Sequence, residues 1–403
     1  MRRLRTISSS RLVAFAVALV VLAVGVGIAQ AALKGGSKPA PKPLDAAIHD
    51  ALSAPTVPGV TARVHFTNHL IPAGALPEGT VSPLMAGASG RVWIASDGRF
   101  RVELQSDAGD AQIVSDGTTL TLYDASTNTA YRLALPQRSD TAQSGADRHA
   151  PPTLAQVDRA LARLGDRWAL SGATPTSTAG QPTYTVRIAP KGDGGLLGAA
   201  ELAWDASNGV PLRAAIYAAG QSSPVLELRA TDVSFGPVAT SDIVVPPPAG
   251  ARVVDLSPSS GKGGADHADT SAHAHAKPVT GVAAVQAAVP FTLAAPDQLA
   301  GLPRHDVWLA GHGANPAAVV TYGRGLGGIL VVERKARAGE GPLGSGGSRG
   351  SLRLPQINVN GASGSELATE LGTVLSFQRG GVDYVVAGSI PAQSAETAAR
   401  QLG

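Results

Sequence analysis

The stretch Ser89-Gly-Arg-Val-Trp-Ile-Ala-Ser-Asp-Gly-Arg-Phe-Arg-Val-Glu-Leu104 decides the fold, together with Ile113-Val-Ser-Asp-Gly-Thr-Thr-Leu-Thr-Leu-Tyr-Asp124 and Tyr131-Arg-Leu-Ala-Leu135. Phe100, Val102 and Leu104 alternate with Arg99, Arg101 and Glu103, which puts an apolar and a charged face on one strand. Leu120 and Leu122 repeat the pattern against Thr119 and Thr121, and Tyr131, Leu133 and Leu135 repeat it around Arg132. Asp97-Gly98 and Asp116-Gly117 supply the positive φ that tight hairpin turns require. The stretch therefore reads as an antiparallel meander with one greasy face. Periodicity alone describes such a face as an ordinary core.

Working outward, Leu44, Ile48 and Leu52 at i, i+4, i+8 predict a short helix that ends before Pro55. Val60, Ala62, Val64 and Phe66 alternate with Thr61, Arg63, His65 and Thr67, a further amphipathic strand. His65 and His69 fall on or near its polar side and read as solvated. Residues 70–88 read as a loop, and 139–152 as a polar connection. Thr153 and Gln156 then form a capping box for a helix that carries Leu154, Val157, Leu161 and Leu164 on one face. A helix inside a run of strands must close its apolar face over something, and a sheet face is the partner nearest in the chain. Strands resume at Tyr184, Val186 and Ile188, then Leu202 and Trp204. A turn at 205–209 leads to Val210-Pro-Leu-Arg, then to Asp232-Val-Ser-Phe and Val245-Pro-Pro-Pro-Ala-Gly250.

In that order these pieces resemble the outer-membrane lipoprotein carrier (LolA-like) family and the related periplasmic envelope-stress sensors, over residues 44–254 or so. Each piece is short, and their collinear order carries the likeness. The resemblance implies a mainly β (α+β) fold, an unclosed antiparallel half-barrel whose concave face is plugged by helices and holds lipid acyl chains. It turns the greasy face into a cavity in which a subset of Phe66, Trp93, Phe100, Leu104, Leu120, Leu122 and Tyr131 would line an acyl-chain site. Leu154, Val157, Leu161 and Leu164 would then face it from a lid. The carrier's lid-locking arginine, in the loop between the Trp93 and Phe100 strands, would fall at about Ser96 here, so closure would rest on apolar contact.

The remaining composition bounds the function. The chain has 403 residues, no cysteine, 48 glycines, 29 prolines and only 4% aromatics, which suits many turns and small strands. Without cysteine there is no disulfide, zinc-thiolate site, cysteine nucleophile or lipidated N-terminal Cys. The formal charge of +3 includes Arg2, Arg3, Arg5 and Arg11; the rest of the chain carries −1, so the arginines are no nucleic-acid signal. They precede the uncharged apolar run 12–28 and the small-x-small site Ala29-Gln30-Ala31. Residues 1–33 thus read as an export signal or a single-pass anchor with the body outside the cytoplasm.

Four segments follow: 1–33, a half-barrel domain at 44–256, a disordered Gly/Ser/His linker at 257–278, and a small α+β domain at 279–403. A Gly/Ser/Lys/Pro tether at 34–43 joins the first two. His267, His273 and His275 with Asp266 and Asp269 lie in the linker, without the scaffold a metal site needs. Gly323-Arg-Gly-Leu-Gly-Gly328 matches a dinucleotide fingerprint by letter, but sits between two strands and opens no helix, so it reads as a hairpin loop. Gly346-Gly-Ser-Arg-Gly350 matches a nucleophile elbow without the strand and helix around it. Neither a catalytic set, a metal site nor a cofactor is expected. The expected partners are lipid acyl chains or a lipidated protein; the alternative is a sensor or interaction module acting on a membrane-bound regulator.

Overall fold

The computed structural model describes residues 38–72, 82–107, 109–135, 152–192, 194–256, 279–311, 316–337 and 354–402. The N-terminal apolar segment, the linker with its histidines and aspartates, most of 139–152 and the Gly346–Gly350 motif lie outside them. The chain divides after Leu256 into two units, each with its own buried cluster.

In the first unit the alternating segments become strands, and the Asp-Gly pairs become their turns. Its elements are α1 (Leu44–Ser53), β1 (Gly59–Asn68), α2 (Pro83–Ala86), β2 (Ala88–Ala95), β3 (Phe100–Ser106), β4 (Gly109–Ser115), β5 (Thr119–Asp124) and β6 (Thr129–Ala134). There follow α3 (Leu154–Gly165), β7 (Trp168–Leu170), β8 (Thr174–Thr178), β9 (Gln181–Pro190), β10 (Leu197–Asp205), β11 (Pro211–Ala218), β12 (Leu226–Phe235), α4 (Thr240–Ile243) and β13 (Arg252–Asp255). Gly98 and Gly117 take φ of 85° and 91°. Asp116 Oδ1 accepts the N–H groups of Thr118 and Thr119 at 2.8 and 2.7 Å, fixing the second turn from its own side chain.

All thirteen strands join one open, curled sheet in the order β13-β6-β5-β4-β3-β2-β1-β12-β11-β10-β9-β7, with β8 also on β9. Every pairing is antiparallel except β13 on β6, which is parallel. The meander β1 to β6 and the meander β9 to β12 are joined side by side through β1 and β12, with a bulge between Arg63 and Val64. This is the mainly β, open half-barrel that the family resemblance implies.

Helices cover the apolar face. Ala47 of α1 is buried against Tyr184, Val186 and Trp204 of β9 and β10, flanked by Leu44, Ile48 and Ala51. Tyr184 donates its hydroxyl to the Ala40 carbonyl at 2.6 Å, pinning the chain that enters α1. The capping box of α3 is formed, with the Thr153 N–H donating to Gln156 Oε1 at 2.7 Å.

Among its described residues the second unit is an eight-stranded sheet with two helices. It contains α5 (Val282–Ala288), β14 (Gln298–Leu299), β15 (Leu302–Ala310), β16 (Ala317–Tyr322), β17 (Ile329–Lys335), β18 (Gln356–Val359), β19 (Ala362–Thr369), β20 (Gly372–Arg379), β21 (Val382–Gly388) and α6 (Ala392–Gln401). The sheet order is β14-β15-β16-β17-β21-β20-β19-β18. Residues 323–328, between β16 and β17, form a hairpin connection rather than a nucleotide loop. Ala395, Ala398 and Ala399 of α6 are fully buried, and Phe377 stacks on Tyr384 with ring centroids 4.8 Å apart.

Candidate functional site

Register shows which side chains share a face. Ala62, Val92, Val102, Ile113, Leu122 and Tyr131 lie opposite one another across β1 to β6, one continuous row on the apolar side. Burial changes along this row. Val102 and Ile113 are each 2% exposed, whereas Leu122 and Tyr131 are half-buried. The neighbouring row behaves alike: Phe100 on β3 is buried, and Leu120, two strands on, is half-buried. Helix α2 sets the boundary. It packs on β1, β3 and β4, and its Leu84 belongs to the same buried cluster as Phe66, Phe100 and Leu104. Burial, assisted by the charge of Asp124, holds the Tyr131 phenol above its ordinary pKa.

Six of the seven residues expected around an acyl chain therefore share a face. Phe66, Phe100 and Leu104 are packed into the core, while Leu120, Leu122 and Tyr131 form a half-covered shelf at the β5–β6 end. Trp93 stands apart. It neighbours Val92 in the strand, so it emerges on the opposite, polar face, where its cross-strand partners are Thr61 and Arg101. The guanidinium of Arg101 sits 4.9 Å and that of Arg91 5.6 Å from its ring centre, two cation–π contacts on a half-buried indole. Arg101 also donates to the Asp242 carbonyl of α4 at 3.0 Å, tying that short helix to the outer face.

The four leucine and valine positions of α3 are not equivalent. Val157 is buried, Leu161 is half-buried, and Leu154 and Leu164 are 43% and 38% exposed. The helix packs on α1 and β7, so it forms a second layer over the β9 half of the sheet. Ser96 is exposed in the β2–β3 turn. His65 lies on the polar face, its Nδ1 3.2 Å from Ser89 Oγ. Sequence reasoning missed α2, whose four residues are too few to show a period, and Val57, fully buried just ahead of β1. Among the described residues no three of His, Asp or Glu gather as a metal site, and no helix is long and apolar enough to cross a membrane.

An open antiparallel half-barrel with helices on its apolar face is the class these elements define. Among solved structures, the chain is similar to the MucA/MucB complex of Pseudomonas aeruginosa, at TM-score 0.39 and 16% identity, covering 88% of this chain and 94% of that one. It is similar to MucB alone at TM-score 0.38 and 15% identity over 88% of this chain and 96% of that one. A LolA superfamily protein from Nitrosomonas europaea matches 51% of this chain and 98% of its own at TM-score 0.22 and 13% identity. No family model matches the chain, and no curated protein matches it in sequence. The fold assignment rests on sheet order and helix placement, not on these superpositions.

Proposed function

We propose that the first unit binds an acyl chain or a lipidated segment outside the cytoplasm, on the apolar shelf of β5 and β6. The observation that carries this reading is the burial gradient along the Ala62–Tyr131 row: the same face is sealed beneath α2 and half-open at Leu120, Leu122 and Tyr131. Each methylene laid on the shelf and removed from water would gain about 0.8 kcal/mol. The basic and apolar N-terminus supports a site presented at the outer surface of the cytoplasmic membrane. Full-length chain in the membrane fraction would agree; a mature N-terminus at Ala32 in the medium would mean release instead.

The test is uptake of a fluorescent fatty acid by the full chain. Leu122→Glu places a charge on the shelf and should abolish uptake while the far-UV spectrum stays unchanged. Equal uptake by variant and wild type would overturn the reading. A second reading is a protein-interaction module acting on a membrane-bound regulator. It is favoured by Phe66, Phe100 and Leu104, which the chain's own side chains already bury to 6% exposure or less. Native mass spectrometry separates the two: co-purifying lipid supports the carrier, and its absence together with unchanged Leu122→Glu behaviour supports the module.

A further inference from the structure

The polar face of the same sheet carries a feature that acyl-chain binding does not use. Arg187 on β9, Glu201 on β10, Arg213 on β11, and Glu227 and Arg229 on β12 form a ladder of alternating sign. Arg187 Nη1 lies 2.8 Å from Glu201 Oε1, and Arg213 Nη1 lies 2.7 Å from Glu201 Oε2. Arg213 Nε lies 2.6 Å from Glu227 Oε1, and Arg229 Nε is 4.0 Å from Glu227 Oε2. Tyr217 donates its hydroxyl to Glu201 Oε2 at 2.8 Å and accepts from Arg213 Nη2 at 2.7 Å. Burial works against the Glu201 charge, but the hydrogen bonds from Arg213, Arg187 and Tyr217 outweigh it and hold the carboxyl below its usual range.

The middle of the ladder is saturated and its ends are not. Both oxygens of Glu201 have partners, and Arg213 spends its nitrogens on two glutamates and a tyrosine. A guanidinium offers five N–H donors. Among the described contacts Arg187 uses one nitrogen, and Arg229 makes no ion pair closer than 4.0 Å; the two side chains are 42% and 50% exposed. Arg187 is held in place over the Tyr217 ring at 4.7 Å. Both arginines line a cavity of about 770 Å³ together with hydroxyl-bearing residues of β8 and its turn, including Thr176, Ser177 and Thr178. Thr176 Oγ1 is itself fixed at 2.8 and 2.7 Å from the hydroxyls of Thr183 and Thr185.

Arginine N–H donors are therefore left over in this cavity, both oxygens of Glu201 are already used, and the ladder has one more arginine than glutamate. A ligand that only accepts, and is negative, meets that surplus. The polar groups are of two kinds, the guanidinium groups of β9 and β12 and the side-chain hydroxyls of β8, the strand beside β9. A tetrahedral group meets such an arrangement better than a planar carboxylate. The volume lies within the range of small-molecule sites and leaves room for more than an inorganic anion. We propose that this outer-face cavity is a phosphate-ester site, with Arg187 and Arg229 as its binding arginines and β8 as its hydroxyl wall. A lipid headgroup and a free phosphate ester share that chemistry. The site lies on the face away from the acyl-chain shelf and does not depend on it.

The test titrates the full chain calorimetrically with glycerol phosphate and with acetate, and floats it with phosphatidylcholine vesicles with and without phosphatidic acid. Glycerol phosphate should bind and acetate should not. Arg229→Gln should weaken binding about tenfold or more, the loss expected of one charge-assisted contact. Arg132→Gln, which removes an exposed charge from β6 on the same face, should bind as wild type. Binding to the free ester alone identifies a water-borne ligand; flotation that requires phosphatidic acid and Arg229 identifies a headgroup. No binding in either format, or equal weakening by Arg132→Gln and Arg229→Gln, would overturn the proposal. Should Arg229→Gln lose its circular dichroism spectrum, Arg229→Lys replaces it. Lysine keeps the charge without the planar fork, so wild-type affinity in that variant would also overturn the proposal.

Discussion

Glu333 occupies a position on β17 where the two preceding residues of its face, Ile329 and Val331, are core hydrophobes, and it is itself fully buried. Its Oε2 accepts the Ala294 N–H at 2.9 Å, and among the described residues its Oε1 has no partner. Tyr322 of β16 and Tyr384 of β21 face it, with Arg304 and Asp297 beyond Tyr322. Among the described residues Tyr322 also keeps a buried hydroxyl without a partner. Burial pushes the carboxyl from 4.5 up to about 7, against the one backbone hydrogen bond that lowers it. The folded protein then holds this proton more tightly than the unfolded chain does. Stability is highest below pH 4.5 as far as this group is concerned, and falls as pH rises from there to about 7. The loss amounts to something on the order of 3 kcal/mol for a shift of this size. Glu333→Gln removes the titration, so its thermal midpoint should decline less than wild type over that window. Parallel pH profiles for the two proteins would show that Glu333 is not the source.

At the scale of the element, β2 shows what close strand packing requires. A Cβ on Gly90 would lie 1.8 Å from the Glu103 carbonyl oxygen of β3, so any side chain there must push the two strands apart. Gly90→Ala should cost at least about 1–3 kcal/mol in urea unfolding, the usual range for an overpacked site. An unchanged midpoint would mean that β2 gives way freely. Helix α3 makes the complementary case. Val157→Ala should cost roughly 1.5–3 kcal/mol, from two lost methyl groups and the cavity they leave. Leu154→Ser, at an exposed position, should stay within about 0.5 kcal/mol of wild type. Equal losses in both would mean that α3 has a partner on its exposed side. The same contrast explains what was legible beforehand. The faces of β3 and β5 could be read because charged or threonine residues mark one side of each. Val92, Trp93 and Ile94 are consecutive and apolar, so no pattern says which of them points outward; register with Arg101 does. The Arg187–Arg229 ladder was hidden for the same reason, since its charges come from four strands and meet only through pairing. The parallel docking of β13 on β6 joins residues far apart in the chain, and local periodicity carries no trace of it.

For the whole molecule, the separate cores make a prediction about cooperativity. The first unit's larger cluster gathers Val57, Phe66, Phe100, Val102 and Leu212, and the second unit's gathers Val285, Tyr322, Val331, Phe377 and Val386, with no residue in common. Single hydrophobic cores unfold as units, while chains with several cores depart from one all-or-none transition. Calorimetry of the full chain should therefore resolve two transitions, and the substitutions above assign them. Gly90→Ala should lower one transition and leave the other in place. Glu333→Gln should alter the pH dependence of the second without moving the first. A glycerol phosphate ligand, if bound at the outer-face cavity, should raise the Gly90-sensitive transition, because binding to the folded form alone stabilises it by mass action. The opposite outcome is equally readable. A single transition displaced by both substitutions would show that the two cores fold as one cooperative body, and that stability lost on β2 is felt at β17.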